Sequence, residues 1–137
     1  IKDYMSTTIS FCRKSGYVNN IFGRRTHITG INDKNFNVRS FQERASINAP
    51  IQGSASELMR MAMINIFENI KDKKSKDCKL LLQIHDELIF EVKKDNTECV
   101  KKLVENGMKS VQKSDLHSFS IPILVDVNIG ENWGLLQ

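Results

Sequence analysis

Three polar residues, His85-Asp86-Glu87, stand between two apolar runs, Leu80-Leu81-Leu82-Gln83-Ile84 and Leu88-Ile89-Phe90-Glu91-Val92. Adjacent carboxylates repel one another when both ionise, so a fold that keeps them together commonly supplies a cation. Hard divalent ions take oxygen ligands of this type. Asp is also a common turn former and His85 could simply cap a strand, so the three residues leave a metal site and an ordinary turn both open.

A second pattern has chemistry of a different kind. Arg44, Asn48 and Gln52 recur every four residues. On a helix that step advances the angular position by about 40°, which lines the three side chains along one slanted stripe. A solvated stripe usually prefers Lys and Glu, whereas these are flexible hydrogen-bonding groups flanked by Ala45, Ala49 and Gly53. Such a face fits close approach to an acceptor-rich surface. The DNA minor groove is one, because purine N3 and pyrimidine O2 offer acceptors at every base pair. The alternative is a helix whose polar side chains satisfy neighbouring backbone groups.

The elements that must position these residues follow from periodicity. Ile1, Tyr4, Met5, Thr8, Ile9 and Cys12 are spaced by three and four and end at Gly16, which predicts an amphipathic helix with a glycine stop. Tyr17 to Phe22 and Arg24 to Thr29 read as two strands around Gly23. The Arg24-Arg25 pair fits either phosphate contact or a solvated hairpin tip. Residues 30–37 are polar and turn-rich. From Val38 to Ile70 the pattern is helical, and Pro50 should kink or break it near Ser46–Ala49. Beyond the proline, Met59, Met63, Ile66, Phe67 and Ile70 form a stripe facing a core.

Residues 71–77 are a charged connector. Residues 80–92 then read as two antiparallel strands folding back at the His-Asp-Glu cluster, with the sheet otherwise buried. Asp95 and Glu98 resemble a capping box for a helix whose buried face is Val100, Leu103, Val104, Met108 and Val111, weakened a little by Gly107. Ile121 to Ile129 is expected to be a last strand, with Pro122 near its start. The expected class is α+β, an antiparallel sheet carrying the acidic hairpin and the last strand, with helices packed mainly on one face.

The chain has 137 residues, 40% of them hydrophobic, which suits one modest core and one unit over 1–137. A formal net charge of +4 permits a polyanionic partner without requiring one. Three separated cysteines without a CxxC pair argue for a reducing compartment and against a zinc site or disulfide frame. No apolar run approaches the ~20 residues that cross a bilayer. The chain opens without Met and without a leader pattern, and reads as the C-terminal piece of something longer or as a processed chain.

Taken together, several blocks resemble one family. They are Gly16-Tyr17-Val18 with Gly23-Arg24-Arg25, Glu43-Arg44-Ala45 leading into Ile47-Asn48-Ala49-Pro50-Ile51-Gln52-Gly53, Gln83 to Val92, and Gly130-Glu131-Asn132-Trp133. In this order and spacing they resemble the C-terminal end of family A DNA polymerases and cover nearly the whole chain. The resemblance implies a palm hairpin in which Asp86 is one of two aspartates holding two catalytic magnesium ions. It further implies that Glu87 supports it, that His85 lies by the primer end, and that Arg44, Asn48 and Gln52 touch the primer–template duplex. The implied partners are primer–template DNA and deoxynucleoside triphosphates, without a membrane, in a bacterial cytoplasm or nucleoid.

Departures from the family pattern are informative. The family's other metal aspartate and its nucleotide-binding helix lie upstream of Ile1, and nothing in residues 1–15 replaces them. The 137-residue piece is therefore expected not to polymerise by itself. Ile28-Thr29-Gly30 stands where many relatives carry a Leu-Pro pair, and Glu57 where Asp is usual. Two other functions compete with this one. A non-catalytic DNA-binding module would have no reason to keep Asp86 and Glu87 in an exposed turn. A phosphohydrolase using His85-Asp86 would need more ligands than His27 and His117 offer.

Overall fold

A computed structural model describes residues 1–73, 77–114 and 117–136. The class is α+β, built from helices and small antiparallel sheets. Where the sequence suggests one unit, packing groups the chain into two, Ile1–Glu57 and Leu58–Gln137.

In the first unit, helix α1 (Lys2–Ser15) stops where expected: Gly16 adopts a φ of 78° and its N–H donates to the Cys12 carbonyl. That left-handed conformation is open to glycine at no steric cost, which is why the helix ends there. Strands β1 (Tyr17–Asn19) and β2 (Arg25–His27) pair antiparallel, Tyr17 opposite His27. Cys12, Val18, Ile28 and Ile31 form the buried cluster, with Ala45 and Ala49 packed against it.

Ala45 and Ala49 belong to helix α2 (Phe36–Lys73), which runs for 38 residues. Of the kink or break expected near Ser46–Ala49, a break is not found, since α2 continues through Pro50. A proline removes one ladder bond and crowds the preceding turn. Here packing on both sides of it holds the helix: Ala45 and Ala49 before it, Ala62, Ile66 and Ile70 after it.

In the second unit, strands β3 (Cys78–Ile84) and β4 (Glu87–Val92) form the expected antiparallel hairpin. A 3-10 turn (Lys94–Asn96) leads into helix α3 (Thr97–Ser110). Ile66, Ile70, Cys78 and Val100 make the core, joined by Leu88, Phe90 and Val92 of β4 and by Leu103, Val104 and Met108 of α3. Alternate residues of β4 thus face inward, as the pleat dictates. Gly107 is buried directly against Ile66.

Four expectations are corrected in this unit. The stretch Ile121–Ile129 is not a strand, because no strand of the described residues pairs with it; the short strands β5 (Lys113–Ser114) and β6 (His117–Ser118) pair with each other instead. The sheet around the hairpin is therefore two-stranded rather than one extended sheet, and Leu80, Leu81 and Leu82 of β3 are exposed rather than buried. A bulge between Leu80 and Leu82 shifts the register and turns part of this apolar run away from the core. Asp95 and Glu98 form no capping box: the N-cap of α3 is Asn96, whose side chain makes no capping bond and donates instead to Asp77 Oδ2 at 3.0 Å, and Asp95 lies in the 3-10 turn. Phe67 is 63% exposed, and Ala62 takes its place on the stripe with Met59, Ile66 and Ile70. Residues 74–76 of the charged connector lie outside the described residues.

Candidate catalytic turn and nucleic-acid face

The β3–β4 hairpin closes with Ile84 opposite Glu87, so His85 and Asp86 alone make its tip. A two-residue loop between right-twisted strands needs a positive φ at one or both central positions. Here His85 supplies it, at 53°, the sole non-glycine residue with a positive φ among the described residues. That conformation is uncommon for a residue carrying a Cβ and is held by the paired strands on either side. The Gln83 side-chain amide adds a donor to the His85 carbonyl at 3.3 Å.

This turn brings His85, Asp86 and Glu87 together and leaves all three exposed. Neither carboxylate has a hydrogen-bond or ion-pair partner among the described residues. Two adjacent acids that no cation among the described residues neutralises are hard oxygen donors of the kind a magnesium ion takes. Their number falls short of a complete site, since no group of three or more His, Cys, Asp or Glu side chains is placed to hold a metal among the described residues. The donor chemistry fits magnesium, then, and requires ligands from outside this set.

Arg44, Asn48 and Gln52 all lie on α2, where the four-residue spacing sets them along one stripe, and all three are exposed. Arg44 Nη1 lies 3.4 Å from the Ser40 hydroxyl one turn back. The small residues beside the row are not part of an outward face. Ala45 and Ala49 pack on the first unit's cluster, and a Cβ on Gly53 would meet the Asn20 Cβ at 3.6 Å. Ala45 and Ala49 thus face the internal cluster, while the space at Gly53 would admit a Cβ at ordinary contact. Arg24 pairs with Glu57 at 3.3 Å and the Arg25 guanidinium lies 4.6 Å over the Tyr17 ring, so both arginines of the hairpin tip are engaged within the chain.

The turn of α2 that carries Pro50 is held by residues the sequence did not single out. The Tyr4 hydroxyl donates to the Ile47 carbonyl at 3.0 Å. The Asn20 side-chain amide donates to the Gly53 carbonyl at 3.3 Å, and its oxygen accepts the Phe22 and Arg24 N–H groups at 3.0 and 2.9 Å. The Ile21 N–H donates to the Ser54 hydroxyl at 3.2 Å, and that hydroxyl donates to the Pro50 carbonyl at 2.6 Å. A proline inside a helical pattern is the one sequence signal that points to such partners.

Comparison with known proteins gives the family of the chain. The family described as DNA polymerase family A matches residues 1–135. The chain is 41% identical over 133 residues to a DNA polymerase I of Lactococcus lactis and 40% identical over 133 residues to that of Bacillus subtilis, covering 97% of this chain and 14% of each relative. It therefore spans a small part of the length of the relatives it matches. Among solved structures it is similar to the POL domain of Pol1 from M. smegmatis in complex with DNA primer-template and dNTP. That likeness has a TM-score of 0.88 and 36% identity, over 98% of this chain and 23% of the other. With the match spanning almost every described residue, the chain belongs to DNA polymerase family A.

Proposed function

We propose that this chain supplies the C-terminal, acid-bearing part of a DNA-directed DNA polymerase, which extends a primer 3′-hydroxyl with deoxynucleoside triphosphates on a template. The observation that carries the reading is the hairpin tip: in a chain of this family, Asp86 and Glu87 stand exposed, adjacent and without a neutralising partner among the described residues. A module freed from catalysis would not need to sustain that repulsion. The similar Pol1 domain was solved with DNA primer-template and dNTP, which supports the same partners here.

In the reaction, the primer 3′-oxygen forms a bond to the α-phosphorus of the nucleotide as the bond to pyrophosphate breaks, and the hydroxyl proton is lost. Asp86 is the residue that would hold magnesium, with Glu87 in a supporting role. A pair of such ions, when bound, lowers the pKa of the attacking hydroxyl and offsets charge on the leaving pyrophosphate. The protein's own part is positional. The two-residue turn holds the Asp86 carboxylate clear of the sheet, and the ladder pair with Ile84 fixes the backbone of Glu87. His85, in its left-handed conformation at the same tip, lies by the primer end in this reading. Arg44, Asn48 and Gln52 donate to duplex acceptors near the growing end and hold it without selecting a sequence.

Two carboxylates do not complete a two-ion site, so the 137-residue chain alone is inactive in this reading. Primer extension checks both parts. The isolated chain should give no template-dependent incorporation, and the full-length protein carrying it should give turnover that Asp86→Ala abolishes while duplex affinity is kept. Turnover surviving Asp86→Ala refutes the metal role; incorporation by the isolated chain refutes its incompleteness.

A further inference from the structure

Pro50 lies in α2 midway between Asn48 and Gln52. It has no N–H to give the Ser46 carbonyl four residues back, and its ring crowds that same turn. A helix so interrupted tends to kink there unless other groups hold it. A kink between Asn48 and Gln52 would swing one away from the stripe that the other shares with Arg44.

External groups reach this turn from both sides along the chain. On the N-terminal side of Pro50, the Tyr4 hydroxyl of α1 donates to the Ile47 carbonyl at 3.0 Å, adding a donor in the turn that lacks one. On the C-terminal side, Asn20, 8% exposed, donates to the Gly53 carbonyl at 3.3 Å and closes the β1–β2 loop with its oxygen. The Ile21–Ser54–Pro50 relay runs beside it. Asn20 is thereby a buried polar side chain whose donor and acceptor are both used, one toward α2 and the other toward its own loop. The two residues lie close, with 3.6 Å between the ideal Cβ position of Gly53 and the Asn20 Cβ, an ordinary contact.

We infer that Tyr4 and Asn20 are positioning residues for duplex binding: they splint the proline-weakened turn of α2 so that Arg44, Asn48 and Gln52 stay in one row. The inference rests on the proposed duplex-facing role of that row. Neither residue need touch nucleic acid, because each acts through the α2 backbone. The arrangement also gives Pro50 a consequence: without the proline, the helix would complete its own ladder and the splints would be dispensable.

The test uses the full-length protein carrying this chain, with dissociation of a fluorescent primer–template followed by anisotropy. Gln52→Ala first establishes whether the row binds the duplex; no weakening overturns that reading and the splint with it. Given weakening, Tyr4→Phe, which deletes one exposed hydroxyl, should weaken binding by about fivefold, the worth of one ordinary hydrogen bond. Asn20→Asp, which keeps the loop acceptor and removes the donor to Gly53, should do at least as much. The decisive arm is Pro50→Ala. In that background the Tyr4→Phe effect should shrink toward none, a rescue that a merely structural role for Tyr4 in packing α1 would not produce. Tyr4→Phe and Asn20→Asp binding as tightly as the parent overturns the inference. An equal loss from Tyr4→Phe with and without the Pro50→Ala change overturns it too, while leaving the role of the row intact.

Discussion

The acidic hairpin rests on the Ile66–Cys78–Val100 core, and Gly107 is buried against Ile66 of that core. An alanine there would place its Cβ 2.5 Å from Ile66 Cγ1 and 3.5 Å from both Cα and Cδ1 of the same residue. Contact at 2.5 Å is well inside the ~3.5–4.0 Å optimum for carbon pairs, so something must move. Ile66 cannot do so cheaply: it is 2% exposed, and a β-branched side chain on a helix has about one favoured χ1 well. Overpacking of this kind costs about 1–3 kcal/mol, against a gain of about 1 kcal/mol from replacing glycine inside a helix. Gly107→Ala should therefore destabilise the protein by about 1 kcal/mol, the difference between those two terms.

The sign should reverse once the obstacle is removed. Ile66→Ala alone should cost about 2–5 kcal/mol, and Gly107→Ala on top of it should restore about 1 kcal/mol by helix propensity. Urea unfolding of the four proteins, with midpoints and slopes both fitted, measures the cycle. The reasoning is refuted if Gly107→Ala alone raises stability, or if the two changes add to within about 0.5 kcal/mol, as independent sites do.

Arg44→Ala in the full-length protein should weaken primer–template binding to a similar degree across unrelated sequences, since minor-groove acceptors recur at every base pair. Binding measured on several duplexes checks this, and loss confined to one sequence counts against the groove contact. Alkylation at neutral pH should modify exposed Cys99 quickly and reach Cys12 and Cys78 only on unfolding, because both are buried and free. Mass spectrometry after a short pulse reads it, and rapid double or triple labelling of the folded protein refutes the packing. Burial also raises the Cys12 and Cys78 thiols above their ordinary 9.0. The unfolded chain then gives up these protons before the folded one, so the two thiols should subtract stability as pH rises past 9.0 and have no effect below it. Melting curves should show a shallower alkaline decline in Cys12→Ala, and an unchanged decline refutes that assignment.

What the sequence made legible was local, and what it hid depended on partners far along the chain. The hairpin tip could be read because two apolar runs and a polar centre fix a turn by their own spacing; the antiparallel pairing followed, though not its register shift between Leu80 and Leu82. The last strand could not, because the Ile121–Ile129 pattern says only that a stretch would suit a sheet, while a ladder needs a neighbour that the described residues do not provide. Phe67 leaves the stripe for an angular reason: it sits one residue past Ile66, about 100° round the helix from a row that actually runs through Met59, Ala62, Ile66 and Ile70. The same ambiguity of face explains Ala45 and Ala49. Each lies beside a residue of the Arg44–Asn48–Gln52 row in sequence yet points into the core that Cys12 and Val18 build. The row itself survived, since a four-residue spacing defines a stripe whichever way it faces. Gly107 was legible as a flaw in α3 and not as the seat for Ile66, because that role exists only when two helices meet. Pro50 is the reverse case: its local rule was sound, and a hydroxyl and an amide from distant segments reach the turn it weakens. In this chain the exceptions to local rules therefore mark where distant segments pack against or bond to a helix, which makes Pro50 and Gly107 the positions where substitution is most informative.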